Sequence, residues 1–213
     1  MNEVILLERA QRARAVDSLA RAFGKDPMWS TIVPDDAVRT EALRPIWDAL
    51  IGFATAYGAA YTTPEGAGAA CWVAPGNTRT TVWKLVRTGM ALPRAMMRLP
   101  KDARERFFAM MRFIDRQHGE LMTGRHWYLW ALGVAPEAQR RGIGGALLEP
   151  VLVHADADDV PCYLETQTEQ NVSFYRKRGF EVVREASEPV ADLPIRFMVR
   201  PPQRSGAGRT PAP

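Results

Sequence analysis

LGVAPEAQRRGIGGALLEP, residues Leu132 to Pro150, crowds one glutamine, two arginines and three glycines into the seven positions from Gln139 to Gly145. Upstream, WYLWALGVA (Trp127 to Ala135) is aromatic and branched enough for a central strand. Downstream, Ile143, Leu147, Leu148, Val151 and Leu152 recur at helical spacing. The glycine run therefore bridges a strand and a helix N-terminus. Such a junction leaves backbone amides without partners and aims the positive end of the helix dipole at one spot. Glycines at 142, 144 and 145 remove the side chains that block a close approach, so the chemistry this loop suits is a pyrophosphate.

Spacing separates the competing nucleotide motifs. A phosphate-binding P-loop requires Lys-Ser/Thr after its last glycine, whereas Gly145 is followed by Ala146 and Leu147. A dinucleotide fingerprint requires G-x-G-x-x-G directly after the first strand of a βαβ unit, and here the order is Q-R-R-G-I-G-G after a long polar approach.

Working outward, Val4 to Leu7 reads as a first strand and Arg9 to Phe23 as a helix, with further helices over Met28–Ile32 and Asp36–Thr55. GAAYTTPEGAGAACWVAP reads as a hairpin turning at Pro64-Glu65-Gly66. From Trp127 the pattern is strand, loop, helix, strand, helix, strand. One domain over 1–200 is expected, followed by a tail, 201–213, whose lack of apolar residues predicts disorder.

Between Arg79 and Arg112 nine Lys/Arg face two acidic residues, a local +7 within a chain of +4. Trp83, Val86, Met90, Met97, Phe107, Met111 and Ile114 read there as a helical stripe interrupted at Pro93 and Pro100. The reading is a helical segment with solvated charges rather than a nucleic-acid surface, because no recognition motif accompanies the charge. No apolar run is long enough for a membrane span, and the N-terminus lacks the charge order of a secretory signal. Cys71 and Cys162 form no disulfide framework, which makes the cytoplasm the expected compartment. His118, His126 and His154 are scattered without metal-ligand spacing, so each reads as a surface or boundary histidine and no metal is expected.

On Gln139-Arg140-Arg141-Gly142-Ile143-Gly144 the chain resembles the GNAT superfamily of acyl-CoA-dependent N-acetyltransferases, whose pyrophosphate loop has the form Q/R-x-x-G-x-G/A. YLETQTEQNVSFYRKRGFEVV (Tyr163 to Val183) resembles the family's next strand, its tyrosine-bearing helix and the Gly-Phe opening the strand after it. L-G-V-x-P, Pro150 within the helix, L-E-T and N-x-x-F-Y-x-x-x-G-F look most like the puromycin N-acetyltransferase-like group; Pro150 cannot donate to Ala146 and is expected to kink the helix. Asn171 departs from the pattern, lying four residues before Tyr175 where many members have seven.

The resemblance implies an α/β (α+β) fold whose mixed, mostly antiparallel sheet is splayed at its central strands and flanked by helices. It implies acetyl-CoA as cosubstrate, contacted by Leu132, Gly133, Val134, Gln139, Arg140, Arg141, Gly142, Ile143, Gly144, Gly145, Ala146, Asn171 and Tyr175. The acceptor is then a primary amine of a small molecule or a protein. N-acetylation needs a base for the amine proton and an acid for the departing thiolate. Tyr175 is the candidate acid and Glu165 the candidate base, since on a strand Tyr163 and Glu165 face opposite to Cys162 and Leu164. The alternative is a non-catalytic acyl-CoA-binding module. Oligomeric state is left open by these motifs.

Overall fold

The computed structural model describes residues 2–189 and 191–203. The elements are β1 (Ile5–Leu6), α1 (Arg9–Ala22), α2 (Pro27–Ile32), α3 (Asp36–Tyr57), β2 (Gly58–Thr62), β3 (Gly68–Val73), α4 (Val82–Arg87), α5 (Ala91–Met97), α6 (Lys101–Leu121), β4 (Trp127–Val134), α7 (Ile143–Ala157), β5 (Cys162–Thr166), α8 (Glu169–Arg176), β6 (Glu181–Glu188) and β7 (Leu193–Arg200). A short 3₁₀ turn, Pro136–Ala138, precedes α7. The seven strands are ordered β1-β2-β3-β4-β5-β7-β6, and only β4 and β5 run parallel. This is the mixed, mostly antiparallel α/β sheet that the motifs imply.

The splay at its centre is visible in the register. β4 pairs with β5 only at Trp127↔Cys162 and Tyr128↔Tyr163, after which the strands part. β4 keeps its other neighbour along its length, from Val73↔Tyr128 to Gly68↔Val134. That ladder carries an irregularity: Cys71 pairs Ala131 and Trp72 pairs Leu129, so Trp130 has no partner on β3. A bulge shifts the alternation of side chains by one. Trp130 and Ala131 consequently both join clusters on the α3 side, while Leu129 and Leu132 pack on the α7 side.

Two helical layers cover the sheet. Leu147, Leu148, Val151 and Leu152 of α7, with Val172 and Tyr175 of α8, pack on Trp72, Trp127, Leu129, Cys162 and Leu164. The opposite face carries α1, α3 and α6, with Phe53, Met110, Phe113 and Ile114 against Tyr128, Tyr163 and Phe197. Each fully buried leucine in these layers contributes about 1.5–3 kcal/mol relative to exposure.

Three expectations need correction. A single strand is read after α8, yet two are present, and β7 inserts between β5 and β6. Asp192 makes the turn between them at φ +47 without a glycine, so no glycine turn signal marks the hairpin. The basic segment breaks at Gly89 and Met90, both at positive φ, and not at Pro93, which sits in the first turn of α5 where no amide is needed. Its apolar stripe is not continuous: Ile114 is buried, whereas Trp83 and Met97 are 68% and 66% exposed. α7 runs through Pro150 to Ala157. The tail expected to be disordered lies, from residue 204 on, outside the described residues; the amide of Gln203 donates to Asp156 Oδ1 at 2.7 Å.

Candidate active site

The parting of β4 from β5 leaves the β5-facing edge of β4 without a strand partner from Leu129 to Val134. Leu132 and Val134 thus present backbone groups along an open groove, and Gly133 turns its bare Cα toward α1, where a Cβ would crowd Leu19. The groove leads to the glycine loop. Arg140 and Gly142 both stand at positive φ, +61 and +81, and Gly142 caps α7. Gln139 folds the loop back through Nε2, which donates to the Val134 carbonyl at 3.0 Å. Among the described residues, none of the amides of Arg140, Arg141, Gly142, Ile143, Gly144 and Gly145 donates to a backbone carbonyl. Six consecutive amides without a backbone acceptor thus lead into a 15-residue helix, an arrangement whose chemistry suits an anion.

The glycines have separate causes. Gly142 is required by its backbone conformation. At Gly145 a Cβ would meet the Arg178 guanidinium, so a larger residue there has to push that side chain aside. Arg178 lies 3.7 Å above the Phe174 ring centroid, and its Nη1 donates to the Phe174 carbonyl at 2.7 Å. A cation beside the loop is thus supplied by the second residue past α8, one that no motif singled out. Arg140 and Arg141 are exposed.

Glu165 and Tyr175 occupy different surroundings. Glu165, two residues past the last β4–β5 rung, shares the face of Tyr163; its Oε1 accepts from the Tyr128 hydroxyl at 2.8 Å. Desolvation pushes its carboxyl up to about 7, against the pull of the Tyr128 hydrogen bond. Tyr175 lies on the α7 side, with its ring against Phe174 and Phe180. Burial holds its phenol well above the ordinary value, with Arg178 opposing and Asp26 of the α1–α2 turn adding to the shift. The two candidates thus lie on opposite faces of the sheet. Asn171 is half-buried, and its amide donates to the Thr168 cap at 3.2 Å.

The histidine reading is corrected here. His118 and His126 are buried, and their Nε2 atoms lie 2.7 Å apart, joining the end of α6 to the approach of β4. Eight residues of separation across a helix end and a turn hide this pair in the sequence. Tyr128 was equally hidden, because its link to Glu165 depends on strand register. Of the six tryptophans, Trp29, Trp47, Trp72 and Trp127 are core. Trp130 is half-buried at the split, stacked on Phe53 at 4.7 Å.

Comparison with known proteins bears on the fold and on the segment that carries the loop. Residues 94–180 match the model of the acetyltransferase (GNAT) family. An uncharacterized N-acetyltransferase of Schizosaccharomyces pombe is 28% identical over 144 residues, which are 64% of this chain and 57% of that protein. The chain therefore spans just over half the length of that curated relative. Among solved structures, a histone acetyltransferase-related acetyltransferase of Corynebacterium glutamicum superposes with a TM-score of 0.63 at 21% identity, covering 96% of this chain and 98% of that one. Arylalkylamine N-acetyltransferase 2 of Aedes aegypti gives 0.60 at 10% identity, covering 94% and 99%. The fold is that of the GNAT acetyltransferases, and the segment from α5 through α8 carries that family's sequence pattern.

Proposed function

We propose that the protein is an acetyl-CoA-dependent N-acetyltransferase that passes the acetyl group directly to a primary amine. The observation that carries the reading is the cradle of free amides from Arg140 to Gly145, opening onto the unpaired edge of β4. An anion and an extended amide chain fit these two features in sequence, the first through amides and the Arg178 cation, the second through Leu132 and Val134 as an added strand. Acetyl-CoA, when bound, supplies an activated thioester.

The chain's own residues would then do the following. Gly142, Ile143, Gly144, Gly145 and Ala146 present the first turn of α7, with Gln139 holding the loop in shape. Glu165, poised near neutrality, takes a proton from an ammonium that has entered on its face; a base with pKa near the working pH is half available and still basic enough to accept. Tyr175 stays protonated at any physiological pH and offers a hydroxyl donor from the opposite face. Its raised value makes full proton release costly, so its contribution is weighted toward hydrogen bonding. A carboxylate tuned in this way favours turnover over a purely binding module.

For the acceptor, the relatives supply the narrower suggestion. Solved structures with this fold include an arylalkylamine, an agmatine and a polyamine N-acetyltransferase, which supports a small-molecule amine, although a ribosomal-protein-alanine N-acetyltransferase shares the fold. The L-G-V-x-P and N-x-x-F-Y patterns support grouping the chain with the puromycin N-acetyltransferase-like enzymes. The deciding experiment is thiol release from acetyl-CoA across a panel of amines, with CoA binding by calorimetry in parallel. Binding without release from any amine would assign the chain to the non-catalytic module.

A further inference from the structure

The buried histidine pair stands where the sheet opens. Tyr128↔Tyr163 is the last rung joining β4 to β5, and His118 rests on both members of it. Its ring is stacked on Tyr163 at 4.7 Å and 19° and tilted against Tyr128 at 4.6 Å. Tyr128 in turn holds Glu165. The pair has fixed tautomers: His126 Nδ1 lies 2.8 Å from the Gly124 carbonyl, which only accepts, so His126 Nε2 is bare and receives the proton of His118 Nε2. Each ring thus carries one proton and no charge. His118 meets the tyrosines through ring faces and not through hydrogen bonds, so this is no proton wire.

We propose that His118 and His126 form an uncharged wedge that orients Tyr128 and Tyr163 at the closed end of the split and keeps water from entering behind Glu165. His118 is on this reading a positioning residue, with His126 as its anchor. The inference rests on Glu165 being the proton acceptor of the proposed reaction. Other groups acting on this cluster are Asp115 of α6, Arg79 ahead of α4, and Arg184 of β6. Arg184 is itself bound to Gln117 and Glu120. Burial, with His126 and Arg79 adding to it, lowers His118 to about 4, in keeping with a neutral wedge across the working range.

Removing the imidazole in His118→Ala opens a space in which His126 Nε2 is left to hold a water, and water there solvates the Glu165 carboxylate. The test is a carboxyl ¹³C NMR titration of protein labelled at its glutamates, the Glu165 signal being the one that Glu165→Gln removes. The wild-type midpoint is expected at about 7. His118→Ala should lower it by about one unit or more, and His118→Phe, which keeps a flat ring between the tyrosines, should hold it within roughly 0.3. If His118→Ala fails to fold by near-UV circular dichroism, His118→Leu carries the same expectation at about half the shift. An unchanged midpoint in the folded small or branched variant overturns the wedge, as does a His118→Phe shift equal to that of His118→Ala. Acetyl-CoA turnover with the amine panel is measured alongside: a Glu165→Gln enzyme of unchanged rate would remove the base reading and leave the titration result standing.

Discussion

Tyr128→Phe deletes the hydrogen bond that Glu165 accepts from the Tyr128 hydroxyl at 2.8 Å, leaving the weaker pull of Tyr163 and the backbone in place. The hydroxyl favours the charged carboxylate, so deleting it should move the carboxyl further up from about 7. A hydrogen bond to a charged group contributes about 1.5–3 kcal/mol, which at 1.36 kcal/mol per unit is roughly one to two units. The variant's midpoint is then expected at roughly 8 to 9. Near pH 7 about half of wild-type Glu165 is ionised, against roughly 1–10% in the variant, a rate deficit of about 5- to 50-fold. Because a raised carboxyl is active above its midpoint, the deficit should close as pH rises past 9 and widen to its full value below 6. The assay is thiol release from acetyl-CoA over pH 5.5–10, read as the ratio of variant to wild type so that the acceptor amine's own titration cancels. A ratio constant across that range, or one that worsens toward high pH, would refute the assignment of Glu165 as the proton acceptor.

Gly142→Val and Gly145→Val should each weaken CoA binding in calorimetry by tenfold or more by different routes: the first strains a φ of +81, the second displaces Arg178 from Phe174. Tyr175→Phe should lower turnover by roughly 10² with CoA affinity nearly unchanged, and equal turnover would remove its hydroxyl from the reaction. Asp156 binds Arg200 through both oxygens at 2.6 and 2.7 Å, with Arg200 3% exposed, so Asp156→Ala should cost about 3–5 kcal/mol in urea unfolding. Arg200 also holds the Asp156 carboxyl below its ordinary 3.8. The native pair's stabilisation is therefore full above that value and lost as pH falls beneath it, so the gap in melting temperature between wild type and Asp156→Ala should narrow from pH 6 down to 2.

The elements legible in the chain were those whose information is local. The loop from Gln139 to Gly145 announces itself by composition, and the strand and helix on either side by periodicity. Glu165 could be placed on a face by counting from Cys162. What could not be read depends on register between distant segments. Tyr128 meets Glu165 only because β4 and β5 align Tyr128 with Tyr163. The meeting of His118 with His126 depends on how the end of α6 turns into β4. The packing of the Arg178 guanidinium over Gly145 is likewise invisible in the sequence, because it depends on how α8 sits against α7. β7 was missed because its turn uses Asp192 at positive φ in place of glycine.

The long excursion between β3 and β4 bears on how the molecule is made. Val73 and Tyr128 are paired neighbours, yet residues 74–127, with three helices, separate them in the chain. Closing that loop costs about 0.6 kcal/mol per doubling of length, or roughly 2 kcal/mol more than a tight hairpin. The ends of α4–α6 are nonetheless fixed side by side, so the excursion joins the sheet at two adjacent points. A nascent chain has β1, β2 and β3 in hand long before β4 emerges, and the edge of β3 waits unpaired while the basic helices are synthesised. Exposed strand edges recruit partners, including other chains. The absence of any acidic residue between Glu65 and Asp102 gives that waiting stretch an unopposed positive charge, and like-charged chains repel one another at the stage when this edge is bare.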